Sequence, residues 1–388
     1  MNSGTCSTTK EDVIVPPFSE YVRRTARLAR SRPRGWKSLL YNTAMAKAKR
    51  VAPLMLPVHI SIEPTNVCNL RCPVCETGNG SLARAAGMLD YDLYTRFIDE
   101  VAPHTAVIMY YFMGEPFLNK RSYEMIRYAR QKDIYVETCS NGDYVDPTGV
   151  IYSDINQISI QIGGMTQRTH EMYRVRSDLA RVMRNLEGML DARRRHPASN
   201  VQIDVGFIVM KHNEHEVPEF VRWAKEIGVD RANVIDPCVR TIAEGHDLLP
   251  EDRRYWFYDE EAFSRGVLKP KHLPDNECTW VWNSVMINWD GGVVPCCRDT
   301  HGTHLFGNVF ATPLREIWNG EPMRVFRRRI VTDQRDVDIC RLCSGYGVPA
   351  LTRSRPMAFE VKRLSLDESK LDIPSFDPPS PPLIQITK

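Results

Sequence analysis

A repeated order of β-rich runs and amphipathic stretches fills residues 56–236, and it constrains the fold more than any other feature of this sequence. Apolar, β-branched runs predict strands at residues 58–62, 106–112, 134–138, 157–162, 201–209 and 232–235. Helical periodicity predicts helices at residues 91–101, 122–132, 167–193 and 217–227. Strands that alternate with helices favour a parallel sheet. We therefore predict an α/β fold, open or curled into a partial (β/α) barrel, with its chemistry on the loops at the carboxyl ends of the strands.

Composition excludes several classes of protein. The 388 residues are 43% hydrophobic and 26% charged, which is a globular balance and not that of a disordered chain. The net charge of +3 is too small to indicate nucleic acid as a partner. The sequence contains no apolar run of about 18 residues, so no transmembrane helix is predicted. The polar N-terminus lacks the apolar region of a secretory signal, so we predict a cytoplasmic protein.

The predicted N-terminal extension, residues 1–50, contains a basic helical segment. Residues 21–50 hold ten Lys or Arg and no Asp or Glu. This segment is either a cationic arm that contacts a membrane surface, a partner or an anionic substrate, or a solvated helix packed on the main domain. We favour the packed helix.

We predict that the barrel occupies residues 51–236. The residues after it form three segments that differ in composition. Residues 237–277 interrupt the strand–helix order with nine Asp or Glu, six Lys or Arg and an aromatic block at 255–258. They predict an acidic and aromatic insert, which either shapes a substrate site or packs its aromatic side chains in the core. Residues 278–347 predict a small cysteine-rich domain with a hairpin around Asp290-Gly291-Gly292 and a helix near 313–329. Residues 348–388 predict a Pro-rich tail.

Eleven cysteines are many for a chain without an export signal, and in a reducing compartment such clusters indicate metal ligands before disulfides. Cys68, Cys72 and Cys75 follow the first predicted strand within eight residues. Thiolates suit zinc or iron–sulfur. A structural zinc site needs four ligands, which His104 or Cys139 would have to complete. An iron–sulfur cube held by the three cysteines alone leaves one iron open.

This C-x3-C-x2-C spacing in the loop after the first strand resembles the signature of radical SAM enzymes. The resemblance implies a [4Fe–4S] cluster held by Cys68, Cys72 and Cys75, whose open iron binds the amino and carboxylate groups of S-adenosylmethionine. One electron from the cluster then cleaves the sulfonium bond, and the 5′-deoxyadenosyl radical abstracts hydrogen from a substrate. The protein's part is to fix geometry and exclude water.

Further segments resemble the S-adenosylmethionine contacts of this family. Gly114, Glu115 and Pro116 resemble the GGEP motif, with Met113 in place of its first glycine. Ser140 and Asn141 resemble the segment near the ribose and carboxylate. Arg174 stands where an arginine pairs with the carboxylate, and Ile208 stands where an apolar side chain contacts the adenine.

The second cysteine set is Cys278, Cys296, Cys340 and Cys343, with Gly291 five positions before Cys296. Its spacing resembles the auxiliary-cluster domain of SPASM and twitch radical SAM enzymes, in the shorter twitch form because no cysteine follows Cys343. The resemblance implies one auxiliary [4Fe–4S] cluster closed by four thiolates, which favours electron transfer over substrate binding. A four-cysteine zinc site is the alternative. Cys297 could replace Cys296, and we interpret Cys6, Cys139 and Cys238 as uninvolved.

The class implied is a radical SAM oxidoreductase, in which the auxiliary cluster accepts a second electron from a small-molecule substrate. A flavodoxin- or ferredoxin-type protein is the expected reductant. The twitch-type spacing resembles that of aminocyclitol dehydrogenases of antibiotic biosynthesis, so we predict oxidation of a secondary alcohol on an aminocyclitol or sugar intermediate. Acidic residues of the insert would suit such a cationic substrate: Glu251, Asp252, Glu260 and Glu261. The alternatives are a peptide maturase that forms thioether or carbon–carbon crosslinks, an enzyme on a lipid-linked substrate, and a non-enzymatic zinc protein.

Overall fold

The computed structural model describes residues 33–271 and 276–343 and the backbone of residues 358–361. Within these residues one sheet contains the strands β1 (His59–Ile62), β2 (Val107–Met109), β3 (Tyr135–Ser140), β4 (Gln157–Ile162), β5 (Gln202–Ile208), β6 (Arg231–Ile235), β7 (Ser284–Ile287), β8 (Val293–Val294) and β9 (Ala358–Val361). Their order is β8-β7-β1-β2-β3-β4-β5-β6-β9. Strands β7 and β1 to β6 are parallel, whereas β8 and β9 pair antiparallel with β7 and β6. The predicted α/β fold is therefore confirmed as an open, partial barrel.

Helices lie before, between and after the parallel strands along the chain. In the described residues they are Pro33–Lys47, Glu76–Asn79, Tyr91–Val101, Ser122–Gln131, Pro147–Ser153, Gln167–Tyr173, Leu179–Arg195, Val217–Ile227, Ile242–Leu248, Glu260–Ser264, Trp280–Asn283, Leu314–Trp318 and Glu321–Asp333. Single 3-10 turns occupy Pro116–Leu118, Glu214–Glu216, Arg253–Tyr255, Gln334–Asp336 and Asp338–Cys340.

The core lies between the sheet and these helices. Ile60, Ile108, Val136 and Ile158 of four neighbouring strands are fully buried, as expected for parallel strands covered by helices. Several helices begin at an aspartate whose carboxylate accepts hydrogen bonds from backbone N–H groups of the first turn; Asp90, for example, accepts from Asp92 and Leu93. Such caps fix where each helix leaves its loop, and so they fix the loops at the carboxyl edge of the sheet.

The helix predicted at residues 167–193 is two helices, Gln167–Tyr173 and Leu179–Arg195. Between them Arg176 adopts a left-handed backbone conformation with φ 76°, which ends helical hydrogen bonding. The Asp178 side chain then accepts from the backbone N–H of Arg181 and starts the second helix. Because the helix is interrupted here, Arg174 lies at the C-terminal end of the first helix and not in the middle of one long helix.

The cysteine-rich region is joined to the barrel sheet. Its predicted hairpin is confirmed, since β7 and β8 pair antiparallel across Asp290-Gly291-Gly292. However, β7 also pairs in parallel with β1, so this region continues the sheet. The buried guanidinium of Arg327 donates hydrogen bonds to the carbonyl oxygens of Val281 at 2.8 Å and Trp318 at 2.9 Å. These bonds hold the helices that flank β7 together.

The basic N-terminal segment is described from residue 33 onward, and residues 1–32 lie outside the described residues. Leu39 of the helix Pro33–Lys47 packs with Val58 and Val107 near the start of β1 and β2. This agrees with the interpretation of a helix packed on the main domain. Among the described helices, none combines the length and apolar character needed to cross a membrane.

The C-terminal tail differs from the sequence prediction in one place. Residues 358–361 form β9, although they fall in the stretch 348–388 that we predicted as a Pro-rich tail. The backbone of β9 pairs antiparallel with β6 and covers the edge that β6 would otherwise leave open.

Candidate functional site

The loop after β1 brings its three cysteines together in an apolar pocket. Cys72 packs with Leu70 and Val74 in a buried cluster that includes Tyr173 and Met210 and against which Cys68 and Cys75 lie. The helix Glu76–Asn79 approaches this loop so closely that a Cβ at Gly78 would stand 2.5 Å from the Cys72 carbonyl oxygen. Glycine is thus needed where the chain turns back on its own cysteines.

Burial favours the protonated form of two of the loop thiols, those of Cys68 and Cys75. It raises the pKa of Cys68 to about 12, although the backbone N–H of Leu70 donates to its Sγ at 3.4 Å and lowers the value. Burial likewise raises the pKa of Cys75. Soft thiolate donors that need a bound cation to lose their protons fit an iron–sulfur cluster. In the described parts of the chain, no three His, Cys, Asp or Glu side chains are arranged to hold a metal ion.

The turn after β2 packs directly on the cysteine loop through Gly114. This glycine has φ 76°, and a Cβ there would stand 2.4 Å from the Thr65 carbonyl oxygen and 2.7 Å from that of Val67. The backbone N–H of Glu115 donates to the same Val67 oxygen at 2.9 Å. Pro116 follows as the first residue of the 3-10 turn Pro116–Leu118. Met113, in place of the first family glycine, is accommodated as a buried side chain.

Glu115 is a buried carboxyl that joins two motifs. Its Oε1 accepts from the Ser140 hydroxyl at 2.8 Å and from the backbone N–H of Phe117 at 3.2 Å. Its Oε2 accepts from the backbone N–H of Asn141 at 2.8 Å. Burial raises the pKa of Glu115 to about 7, and these hydrogen bonds only partly oppose the rise. The carboxyl therefore connects the turn after β2 to the end of β3 through hydrogen bonds in the protein interior.

The segment after β3 reaches the cysteine loop through Asn141. Its Nδ2 donates to the Asn69 Oδ1 at 2.9 Å and lies 3.8 Å from the Cys68 Sγ. Asn69 in turn donates to the buried carboxylate of Asp143 at 2.8 Å, which also forms an ion pair with Arg181. Asn69 and Asp143 were missed by the sequence analysis, although Asn69 lies between two of the loop cysteines.

Arg174 and Ile208 lie at the same pocket as the loop cysteines. Arg174 interacts electrostatically with Cys72, and its buried Nε has no hydrogen-bond partner within the described chain. Gly163 makes room for it, because a Cβ there would stand 2.8 Å from the Arg174 Cγ. Ile208, at the end of β5, packs against the cluster that contains Cys72. A buried guanidinium with an unused donor is suited to a carboxylate.

The second cysteine set converges beside the flank of β7. Cys278 packs against two hydrophobic clusters. Cys296 packs against the first of them, and Cys340 belongs to the second. The electrostatic neighbours of the Cys278 thiol include Cys343, and burial raises its pKa to about 11. The backbone N–H of Cys343 donates to the carbonyl oxygen of Cys340 at 3.0 Å, so the pair shares one turn. The four cysteines that the spacing predicts are therefore neighbours in the structure, although no three of them are arranged to hold a metal ion.

Cys296 and Cys297 differ in their surroundings. Cys296 is partly buried and packs near Cys278, whereas Cys297 is exposed and lines a neighbouring cavity. This difference favours Cys296 as the ligand, in agreement with its spacing from Gly291.

A cavity of about 280 Å³ lies beside the cysteine loop and reaches the cysteine-rich region, although no member of the second cysteine set lines it. Cys75 and Tyr173 line one side, and Cys297 and Thr300 of the cysteine-rich region line another. Apolar and aromatic side chains supply most of the remaining wall: Val74, Met109, Tyr111, Phe112, Met113 and Met286. The polar groups that complete it are Glu76, Cys238 and Arg240. The cavity is therefore mainly apolar with one polar end.

The insert at 237–277 does not present its acidic side chains to this cavity. Its aromatic residues form a small core of their own, which includes Trp256, Tyr258 and Phe263. Asp252 pairs with Arg254, Glu260 with Lys271 and Glu261 with Arg265, and Glu251 is exposed. None of the four acidic residues is among those that line the cavity. The expectation that they recognise a cationic substrate is therefore not supported.

The sequence analysis interpreted the cavity residue Cys238 as uninvolved, and it did not identify Arg240. Both lie just after β6, at the carboxyl edge of the sheet where the other site residues also lie. That position was the available signal, because ligands of open parallel sheets bind beyond this edge.

Comparisons with known proteins agree with this geometry. The Radical SAM superfamily matches residues 62–224, and the SPASM family, an iron–sulfur cluster-binding domain, matches residues 278–344. The chain therefore carries a radical SAM domain followed by a SPASM domain. These domains imply [4Fe–4S] clusters and S-adenosylmethionine as cofactors.

Individual relatives are distant. The tungsten-containing aldehyde ferredoxin oxidoreductase cofactor-modifying protein of Pyrococcus furiosus is 24% identical over 302 residues, covering 69% of this chain and 83% of the relative. The PqqA peptide cyclase of Gluconobacter oxydans is 23% identical over 295 residues, covering 69% and 78%. The crystal structure of SuiB from Streptococcus suis is similar with a TM-score of 0.57 at 14% identity, covering 80% of this chain and 76% of SuiB. At this identity the likeness to SuiB shows the fold alone.

Proposed function

We propose that this chain is a radical SAM oxidoreductase whose substrate binds in the cavity lined by Cys75 of the first cysteine set and by Cys297, the chain neighbour of Cys296. The observation that carries the proposal is that Cys75 and Cys297 line the same cavity from opposite domains. A substrate held there would lie beside Cys75 and would also contact the region that carries the second cysteine set. Its mainly apolar wall would exclude water from a reactive intermediate.

We assign Cys68, Cys72 and Cys75 to the cluster with an open iron, and the second set to a closed auxiliary cluster: Cys278, Cys296, Cys340 and Cys343. When bound, these clusters and S-adenosylmethionine supply hydrogen-atom abstraction and an acceptor for a second electron. The protein's own residues position the cofactor. Arg174 offers a guanidinium for the carboxylate of S-adenosylmethionine, and Asn141 offers an amide beside Cys68.

For the substrate we propose a peptide, of which one side chain enters the cavity. Methionine and aromatic side chains suit an apolar side chain, and Arg240 at the polar end suits a neighbouring carboxylate. The name of one relative, the PqqA peptide cyclase, also supports a peptide substrate. A cationic, polyhydroxylated aminocyclitol would meet few polar partners on this wall.

The second candidate is the oxidation of a secondary alcohol on an aminocyclitol or sugar. The convergence of four cysteines beside β7 supports it, because a closed cluster leaves no iron for substrate and suits the removal of a second electron. The same cluster would also serve a peptide oxidation, so this observation supports the reaction type more than the substrate.

One assay tests the function and separates the two substrates. Anaerobically reconstituted protein is incubated with S-adenosylmethionine, dithionite and either aminocyclitols or peptides that place an aliphatic or aromatic residue beside Asp or Glu. We expect 5′-deoxyadenosine to form with peptides, together with a product two hydrogens lighter or crosslinked. Turnover of aminocyclitols alone would favour the second candidate. Absence of 5′-deoxyadenosine under every condition would contradict the proposal.

A further inference from the structure

The loop at residues 83–88, which we name the connecting loop, contacts both the cysteine loop and the cysteine-rich region. On one side, the Asn66 side chain accepts from the backbone N–H of Gly87 at 2.9 Å and donates to the carbonyl oxygen of Ala85 at 2.7 Å. On the other side, the Trp289 Nε1 donates to the same Ala85 oxygen at 3.1 Å. A Cβ at Gly87 would stand 2.4 Å from the Trp289 ring. The connecting loop is therefore packed closely against two regions that both line the cavity.

Arg84 of the connecting loop makes three different contacts at once. Its Nη1 and Nη2 donate to the two carboxylate oxygens of Glu63 at 2.7 and 2.6 Å. Its Nε donates to the carbonyl oxygen of Thr300 at 2.8 Å. Its Cζ also lies 5.8 Å from the centroid of the Phe112 ring. A planar guanidinium with a rigid fork of donors can make these contacts together, whereas the ammonium group of a lysine cannot.

The three partners of Arg84 belong to different parts of the chain. Glu63 directly follows β1, and its side chain is fully buried. Phe112 follows β2 and Thr300 belongs to the cysteine-rich region, and both line the cavity. Arg84 itself is 10% exposed and is not among the residues that line the cavity. It therefore contacts the cavity wall without forming part of it.

The ion pair between Glu63 and Arg84 fixes a geometry as well as neutralising a charge. The Glu63 carboxylate accepts from both arms of the guanidinium and also from the backbone N–H of Trp289 at 3.2 Å. A bidentate pair of this kind restricts orientation as well as distance. Removal of the cation would leave an uncompensated buried carboxylate, which is costly for folding. A lysine at position 84 would keep the charge but lose the bond to Thr300, so it separates the two roles.

We infer that Arg84 is a positioning residue, which holds the Thr300 wall of the cavity at a fixed distance from the cysteine loop and thereby orients the bound substrate. This inference rests on the proposed function, because it concerns how a substrate lies in the same cavity. The contacts run without a break from Glu63 at the end of β1, through Arg84, to Thr300 of the cysteine-rich region. If this link is loosened, the substrate is misplaced relative to Cys75, and small misplacements strongly reduce productive chemistry.

The test compares Arg84→Lys with the wild type, both anaerobic, cluster-loaded and matched for iron content. Hydrogen exchange followed by mass spectrometry should be at least about fivefold faster around Thr300 in the variant, because that wall loses a tertiary hydrogen bond. The product formed per 5′-deoxyadenosine, with whichever substrate the wild type turns over, should fall by at least about fivefold. The affinity for S-adenosylmethionine should be unchanged, since Arg84 contacts none of the residues assigned to that cofactor.

Arg130→Lys is the matched control. The Arg130 Nε donates to the backbone carbonyl oxygen of Asp154 at 2.7 Å, and its Nη2 donates to the carboxylate of the same residue at 3.1 Å. It thus makes the same two kinds of contact as Arg84 but does not line or contact the cavity wall. The control should change neither measurement. If Arg84→Lys does not fold, Glu63→Gln replaces it, because this change weakens the pair and leaves Arg84 in place; it should shift both measurements in the same direction.

Two results would overturn the inference. One is an unchanged exchange rate around Thr300, whatever the substrate proves to be. The other is faster exchange with an unchanged product ratio, because the contacts of Arg84 would then serve the structure alone. A wild type that turns over no substrate contradicts the proposed function instead, and the exchange rate around Thr300 then decides the inference without it.

Discussion

The carboxylate of Glu115 accepts a hydrogen bond from the backbone N–H of Asn141 at 2.8 Å, and this bond ties the turn after β2 to the end of β3. Asn141 in turn contacts the cysteine loop after β1 through Asn69 at 2.9 Å. Three strand ends thus form one unit around Cys68. The geometry expected to position S-adenosylmethionine depends on a buried carboxyl that does not itself need to touch the cofactor.

The buried position of Glu115 predicts a pH dependence of stability. Its pKa of about 7 in the folded protein lies above the ordinary 4.5, so folding favours the protonated form. This contribution is fully present below pH 4.5 and is lost as the pH rises through about 7; it amounts to roughly 3 kcal/mol at most. Without S-adenosylmethionine, the Tm should therefore fall between pH 5 and pH 8 by more in the wild type than in Glu115→Gln. Equal slopes for the two proteins would contradict this account.

The close approach at Gly114 predicts a large effect of one methyl group. Gly114→Ala combines a left-handed backbone with a Cβ 2.4 Å from a carbonyl oxygen, so we expect a loss of about 3 kcal/mol or more in the free energy of unfolding. Gly266 is the matched control, because it has the same φ of 76° and nothing within 4 Å of its Cβ position. Gly266→Ala should cost only about 1 kcal/mol. Chemical denaturation measures both, and equal losses would show that the contact with Thr65 is unimportant.

The unused donor of Arg174 predicts its role in cofactor binding. Arg174→Gln should weaken S-adenosylmethionine binding by at least about tenfold, because a charge-assisted hydrogen bond to the carboxylate is lost. Arg168→Gln, on the exposed face of the same helix, should leave the affinity unchanged. Anaerobic calorimetric titration measures both. Equal affinities in the two variants would assign Arg174 a purely structural role.

The second cysteine set predicts a separation of two activities. Cys340→Ala should remove the iron of one cluster and block formation of the oxidised product. It should spare part of the 5′-deoxyadenosine formation, since Cys68, Cys72 and Cys75 lie in another domain. Iron analysis and product analysis on the same sample measure both effects. Normal product formation by the variant would exclude the second cluster as electron acceptor.

The sequence was most informative where a local pattern had one physical solution. Runs such as Ile158–Ile162 had to be buried strands, and parallel pairing of β1 to β6 followed from the helices between them. The spacing of Cys68, Cys72 and Cys75 placed them correctly on one loop. Gly114 and Glu115 were assigned to the turn after β2 by their resemblance to a family motif, and this turn contacts the cysteine loop.

Relationships between distant segments were not predictable in this way. Amphipathic periodicity continues across Arg174, so the break that positions this side chain was not visible. The pairing of β7 with β1 joins segments more than 200 residues apart, which no local pattern encodes. Cys238 was interpreted as uninvolved because it belongs to neither cysteine spacing, and its contact with Arg298 joins segments that are 60 residues apart. The aromatic residues of the insert pack together, as one of the two interpretations of its sequence expected. Charge counts could not show that its carboxylates pair with neighbouring basic side chains.

The central claim is that Cys68, Cys72 and Cys75 hold a cluster with one iron open to S-adenosylmethionine. Electron paramagnetic resonance of the dithionite-reduced, oxygen-protected protein tests it most directly, with and without added S-adenosylmethionine. We predict a reduced-cluster signal whose g-values shift on addition, and no such shift in Cys72→Ala. A wild-type signal that S-adenosylmethionine leaves unaltered would contradict the claim.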